Sequence, residues 1–416
     1  MKPFIGDSNN NNSVRDFQIR EELISKLKNR FTTYGYKQIR TSTFEYYDLY
    51  SSITGTVNPD DMIKVVDSTG KVLVLRPDVT IPITRMAASN KQSASDKSRY
   101  FYVLDVFRQS YEKNTQKEST QAGIEYLGNN SAEIDAEVIM LAIHTLKDIG
   151  FSNFKIEIGH AGFFKELITQ AALSSSELAH LQTLIQSKNT AEIDPFLAEL
   201  SIPESLRAAI SVIPMMYGDP KLVIEQAKMN CMNENMQSKL QNLIDVFEVL
   251  KDYGADDSIV FNLGLINNMN YYSDIIFQGF IEQVGKPVLM GGRYDNLSKQ
   301  YGTPLPAVGF AFEVDLMLDA LLQQGLSTEE DMQVDIIIYY VKQKQRDALE
   351  TAYILRDRGY QVLTFSTDSH NQNSVSAVWT IRYETNQELL SSATSNQLLS
   401  DSHELLRLFP GTKEDL

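Results

Sequence analysis

Two short segments place acids, an amide and a hydroxyl at fixed spacing: LRPDVT at residues 75–80 and QAGIE at residues 121–125. Carboxylates held at a fixed separation accept an ammonium and a ring N–H, while amides and hydroxyls supply further donors and acceptors. Asp78, Glu125 and Gln121 have the types for that work, with small or β-branched neighbours that let a ligand approach, and Thr80 adds a hydroxyl. A third segment, NNMNYYSDIIF (residues 267–277), sets amides before two tyrosines and an apolar run after them. A site that handled phosphate there would carry a cation, and this stretch carries none. On a strand, Tyr271 and Tyr272 point to opposite faces, so at most one lines a pocket.

Each residue also has a plainer role open to it. An acid after Arg-Pro commonly closes a turn or caps a helix, tyrosine pairs pack at sheet edges, and a glutamate at a strand end is solvated. GGRYDNL (residues 291–297) reads equally well as a tight turn with a buried Arg–Asp pair.

The chain that must position these groups has 416 residues, 43% hydrophobic and 22% charged, enough for two or three domains with a sizeable core. Its formal charge is −16, and no Lys/Arg-rich run offsets it, so nucleic acid is a disfavoured partner. The single cysteine, Cys231, excludes internal disulfides and Cys-based zinc sites and suits a reducing cytoplasm. No apolar run has the length of a signal peptide core or a membrane span, so the expectation is a cytoplasmic protein without a membrane partner. Nothing calls for a cofactor or a metal.

Residues 1–13 form a polar lead-in, and helical periodicity follows from Val14 to the glycine at 35. KQIRTSTFEY reads as a strand, MIKVVDS and KVLVLRPD as a hairpin, and residues 80–88 as a helix. RYFYVLDVFRQS and TQAGIEYLG make a second, long-looped hairpin; a helix over 133–149 and the strand FKIEIGH come next. Residues 164–252 are helical, with a capping box at Ser174 and Glu177 and helix starts near Pro203 and Pro220. Strands return at SIVFNLGL, YYSDIIFQGFI, KPVLMGG and PAVGFAFE, the last running into an apolar helix. Beyond a polar linker at 325–331, VDIIIYYV, a helix over 344–358 and YQVLTFS form a βαβ unit, and SAVWTIRY adds a strand; the tail from residue 386 is weakly patterned.

A mostly antiparallel sheet with a helical insertion and a trailing α/β domain is an α+β order that resembles the class II aminoacyl-tRNA synthetases, and within them the histidyl type. LRPDVTIPITR matches that family's LRPE-x-T segment, FRQS the start of motif 2, QAGIE its returning strand, NNMNYY the RGLDYY segment, and GGRYDNL with PAVGFAFEVDLM the approach to motif 3. The resemblance implies a synthetase-like domain over residues 14–325, with the helical insertion at about 164–252, and a domain over 332–416 like a trimmed anticodon-binding domain. It also implies a histidine pocket built from Asp78, Thr80, Arg108, Gln121, Glu125, Tyr271 and Tyr272. The motif 1 proline is Ser42 here, although IRTSTFEYYDLY still offers an apolar strand face for self-association.

The nucleotide half of the pattern departs. Asn267 stands where the arginine of RGLDYY belongs, Leu316 where the arginine of GLER does, and Ser110 where an acid helps hold adenosine; residues 111–119 contain lysines and no arginine. Adenylate formation builds charge on phosphates that cations must offset, so no catalytic residue is assigned. A histidyl-synthetase-like chain without those arginines is similar to the regulatory subunits of ATP phosphoribosyltransferase. That family implies a short-form catalytic subunit as partner, histidine as effector, a role in the first step of histidine biosynthesis, and a hetero-oligomer. Rival readings are an active histidine–tRNA ligase and a non-catalytic synthetase-like interaction protein.

Overall fold

The two faces of one strand set out the architecture. In residues 118–127, Ala122, Ile124 and Tyr126 enter one core while Leu127 enters another, and Gln121 and Glu125 share the face of Leu127. That is the period of two expected of a strand buried on both sides. The structure, a computed structural model, describes residues 14–51, 57–90, 97–109, 117–266, 271–326, 334–367, 376–385, 388–392, 396–399 and 408–409. The lead-in, Ser110 with residues 111–116, Asn267, and most of the expected linker lie outside the described residues. The chain divides into a compact unit spanning Asp16–Leu326 and another formed mainly by Ser327–Leu416.

The larger unit contains strands β1 (Lys37–Gln38), β2 (Phe44–Tyr46), β3 (Lys64–Val66), β4 (Val72–Leu75), β5 (Ser98–Phe107), β6 (Glu118–Leu127), β7 (Phe154–His160), β8 (Tyr217–Gly218), β9 (Ile259–Asn262), β10 (Ile275–Ile281), β11 (Leu289–Arg293) and β12 (Ala307–Glu313). Its helices are α1 (Val14–Thr33), α2 (Asp48–Ser51), α3 (Thr80–Asn90), α4 (Ala132–Ile149), α5 (Ala161–Thr169), α6 (Ser175–Gln186), α7 (Thr190–Glu199), α8 (Glu204–Ser211), α9 (Pro220–Met229), α10 (Glu234–Asp252) and α11 (Val314–Gln323). Nine strands form one sheet in the order β1-β5-β6-β12-β11-β10-β7-β9-β8, and β2-β4-β3 form a small second sheet. The large sheet is antiparallel apart from the β1–β5 and β7–β9 pairs. Helices α1, α4 and α11 cover one face through a continuous core that includes Leu27, Phe31, Ile139, Ile143, Phe310 and Met317. A smaller core, with Val74, Ile81, Tyr102, Val106, Tyr294 and Leu305, lies on the other face.

Both expected hairpins are present, β3–β4 and β5–β6. The capping box at Ser174 is complete, and Gly150 ends α4 at a φ of 111°, where glycine avoids the Cβ penalty. Two expected strands are corrected. KQIRTSTFEY splits into β1 and β2 in different sheets, because the buried Arg76 guanidinium takes the carbonyls of Thr41 and Ser42 out of any ladder, at 3.0 and 3.1 Å. YYSDIIFQGFI begins its strand only at Ile275, since the preceding backbone is engaged elsewhere: Ser273 N–H donates to the Arg293 carbonyl at 2.7 Å, and the Tyr272 carbonyl accepts from Lys165.

The smaller unit holds β13 (Val334–Tyr340), α12 (Gln345–Asp357), β14 (Val362–Ser366), β15 (Ala377–Tyr383), β16 (Glu388–Ser392) and β17 (Asn396–Leu399), in the sheet order β14-β13-β15-β16-β17. The βαβ unit is parallel as read from sequence. The tail supplies two further antiparallel strands that its weak patterning conceals.

Candidate functional site

Strand register assembles the pocket. β6 and β12 pair so that Glu125 lies opposite Gly309 and Gln121 opposite Glu313, and β5 sets Tyr102 opposite Gly123. The two glycines are structural requirements. A Cβ on Gly309 would overlap the Glu125 carboxylate and the Ile124 carbonyl, and one on Gly123 would overlap the Tyr102 hydroxyl. Removing side chains from the facing strand makes room for a carboxylate at the floor of a cavity of about 150 Å³. Gly309→Ala should therefore overpack the floor, destabilising the protein by about 1–3 kcal/mol and displacing Glu125. Denaturant unfolding checks this; an unchanged midpoint would contradict the assigned register.

All seven residues singled out from sequence line this cavity: Asp78, Thr80, Arg108, Gln121, Glu125, Tyr271 and Tyr272. Glu125 is 2% exposed and is not the solvated strand-end acid its position suggests. It accepts from Thr80 Oγ1 at 2.6 Å and from the Tyr294 hydroxyl. Burial pushes its carboxyl up to about 8, against those two hydrogen bonds, which favour the carboxylate. Asp78 fills the plainer role as well as lining the pocket: its Oδ1 accepts the Ile81 N–H at 2.7 Å at the start of α3. Burial raises Asp78 and Glu313 above the usual carboxylate range. Arg108 sits exposed at the mouth, its Nε donating to the Pro77 carbonyl at 2.8 Å.

Both tyrosines reach the cavity, which corrects the expectation that at most one would. They lie ahead of β10 rather than on it, so strand alternation does not apply. Tyr271 stacks on Tyr294 at 5.2 Å with an 11° interplanar angle, and Tyr272 meets Tyr271 edge-on at 4.8 Å.

Sequence reading missed Tyr294, Tyr102 and Glu313. Arg293 and Asp295 of GGRYD pair at 3.1 Å as expected, though Asp295 is only partly buried; the fully buried partner of Arg293 is Asp135 at 2.6 Å, and the tyrosine between Arg293 and Asp295 turns into the pocket. Glu313 accepts from Gln121 Nε2 at 2.7 Å. Among the described residues the cavity presents three acids to one arginine, a balance that favours a ligand rich in N–H donors. Leu316, on α11, packs half-buried against the main core and offers no charge.

Comparison with known proteins follows the same lines. A histidyl-tRNA synthetase family model matches residues 12–317, which sets the class: a histidyl-synthetase-like chain of class II architecture. A solved histidyl-tRNA synthetase from Nostoc sp. PCC 7120 superimposes with a TM-score of 0.76 over 95% of this chain and 96% of its own, at 15% identity, and so speaks to fold alone. Within that class the chain belongs to the family of ATP phosphoribosyltransferase regulatory subunits. The regulatory subunit from Oceanobacillus iheyensis is 47% identical over 394 residues, covering 94% of this chain and 95% of its own. A crystal structure of an ATP phosphoribosyltransferase regulatory subunit/histidyl-tRNA synthetase from Bacillus halodurans C matches with a TM-score of 0.76 at 27% identity, over 86% of this chain and 90% of that one. No helix among the described residues is long and apolar enough to cross a membrane.

Proposed function

We propose that this chain regulates an ATP phosphoribosyltransferase by holding free L-histidine in the Glu125 pocket, without catalysis of its own. The supporting observation is a cavity with Glu125, Asp78 and Glu313 around a tyrosine wall and Arg108 at its mouth, in a chain with leucine at 316. Glu125 with Tyr294 and Thr80 would take the ring N–H, Asp78 and Gln121 the ammonium, and Arg108 the carboxylate. The family relationship supports a short-form catalytic subunit as partner, with the complex acting at the first step of histidine biosynthesis in the cytoplasm. Phe44 and Tyr46, both about half exposed on β2, support self-association through the small sheet. An active histidine–tRNA ligase is not favoured.

Co-expression with the short-form catalytic subunit tests this. The two chains should co-elute on size exclusion, phosphoribosyl transfer should depend on this chain, and histidine should inhibit it. Separate elution, with a catalytic subunit fully active alone, would overturn the assignment.

The pocket also sets a pH dependence. With its carboxyl raised to about 8, Glu125 is mostly protonated at pH 7 in the empty pocket and accepts a ring N–H more strongly once ionised. Histidine affinity should therefore rise with pH from about 6.5, where the free imidazole becomes neutral, and level off above about 8. About one proton would be released per ligand near pH 7, a slope of roughly tenfold per pH unit. Calorimetry in two buffers of different ionisation heat measures the release; an affinity flat across this range would contradict it.

A further inference from the structure

The tyrosine wall of the pocket is irregular backbone, and its anchors come from elsewhere. Tyr271 and Tyr272 precede β10, so no strand ladder fixes them. Residues 272–274 are held from the end of β11, through Ser273 Oγ donating to the Arg293 carbonyl at 3.2 Å and accepting the Asp295 N–H at 3.3 Å, and by four further hydrogen bonds. Ser273 N–H donates to the Arg293 carbonyl at 2.7 Å, and Ala161 N–H to the Asp274 carbonyl at 2.7 Å. Lys165 Nζ donates to the Tyr272 carbonyl at 2.5 Å, and Lys239 Nζ to Asp274 Oδ1 at 2.5 Å. Lys165 lies on α5 and Lys239 on α10, two helices of the helical block. Neither touches the cavity.

The surroundings of this clamp are built for close approach. A Cβ on Gly162 would sit 3.0 Å from the Ser273 carbonyl and 3.2 Å from Asp274 Oδ1, so the absence of a side chain there eases the close approach of α5 to the segment. His160 caps α5 through Nδ1, accepting the Phe163 N–H at 3.2 Å, while its fully buried Nε2 stands 3.9 Å from Asp274 Oδ1, too far for a hydrogen bond. Burial lowers the pKa of the imidazole, keeping it neutral at physiological pH. The charge on Asp274 is thus met by Lys239, which is two-thirds buried along with it. Removing Lys239 strips the Asp274 carboxylate of its hydrogen-bonded cation.

We propose that Lys165 and Lys239 are positioning residues of the ligand pocket: from α5 and α10 they hold the Tyr272 carbonyl and the Asp274 carboxylate, so that the tyrosine wall is set by the helical block. Ligand occupancy and the packing of these two helices are then coupled, and by linkage each stabilises the other. The inference rests on the reading that L-histidine occupies the pocket.

The test is an L-histidine titration by calorimetry of the full-length chain and of the Lys165→Met, Lys239→Met, Lys165→Arg and Lys239→Arg variants, with thermal unfolding measured alongside. Both methionine variants should bind at least tenfold more weakly, and the arginine variants, which keep the donated hydrogen bond, should recover most of the loss. A merely structural role would lower the unfolding temperature and leave the affinity of folded protein unchanged. Methionine variants that bind as tightly as the parent overturn the proposal while leaving the pocket assignment standing. A parent chain that does not bind histidine overturns both. If the methionine variants do not fold, amide hydrogen exchange on the parent decides: histidine should slow exchange in residues 161–169 and 234–252, and unchanged exchange there overturns the coupling.

Discussion

Replacing Glu125 with alanine is expected to weaken L-histidine binding by about 1.5–3 kcal/mol, roughly 10- to 100-fold, the range for a hydrogen bond to a charged group. The size follows from the place of the Glu125 carboxyl group in the pocket. It accepts from Thr80 and from Tyr294, both aimed into the cavity, and Tyr294 in turn supports Tyr271 by stacking. Alanine removes the acceptor for the ligand and leaves the Thr80 and Tyr294 hydroxyls to find other partners. Asp78→Ala should cost at least about 1 kcal/mol in affinity, and should also destabilise α3 by about 0.5–2 kcal/mol, because Asp78 Oδ1 takes the Ile81 N–H. Calorimetry with parallel unfolding curves separates the two effects. Unchanged affinity in both variants would remove histidine from this pocket.

The second large expectation is a null that survives repair. The isolated chain should support no histidine-dependent ATP–pyrophosphate exchange, and restoring both arginines, Asn267→Arg with Leu316→Arg, should not create it. Groups that act as one unit are strongly non-additive, so a partial repair returns little. The double variant would still have Ser110 in place of an acid, a motif 2 loop without arginine, and Glu313 bonded to Gln121 inside the cavity. Leu316 packs half-buried against the main core, so an arginine there exchanges apolar contact for a charge and should lower stability and solubility. Exchange clearly above a no-enzyme control in the parent, or tRNA charging by the double variant, would favour the ligase reading.

How much of this was legible in the chain depends on the range of the interactions. Periodicity within a few residues located both hairpins and the capping box, because those signals are local. The seven pocket residues came from motif resemblance, which carries long-range information that periodicity lacks, and the structure gathers all of them around one cavity. What escaped was set by tertiary context. Tyr294 bonds Glu125 across 169 residues of sequence, and nothing in GGRYD separates a turn tyrosine from a pocket one. Glu313 looks like the end of a strand until the β6–β12 register sets it against Gln121. The tyrosine pair was assigned to a strand because β-propensity describes side chains, whereas the backbone there is claimed by Arg293 and Lys165. The last two strands of the smaller unit are only five and four residues long, and their pairing with β15 and each other is not legible in residues 386–416.

The most direct test of the central claim is the histidine inhibition curve of the reconstituted complex, measured with the parent chain and with Glu125→Ala. If the pocket is the sensor, the variant complex should need at least tenfold more histidine for half-inhibition. A curve that superimposes on the parent's, from a variant confirmed to be folded and bound to the catalytic subunit, would contradict the account and place the histidine site elsewhere in the complex.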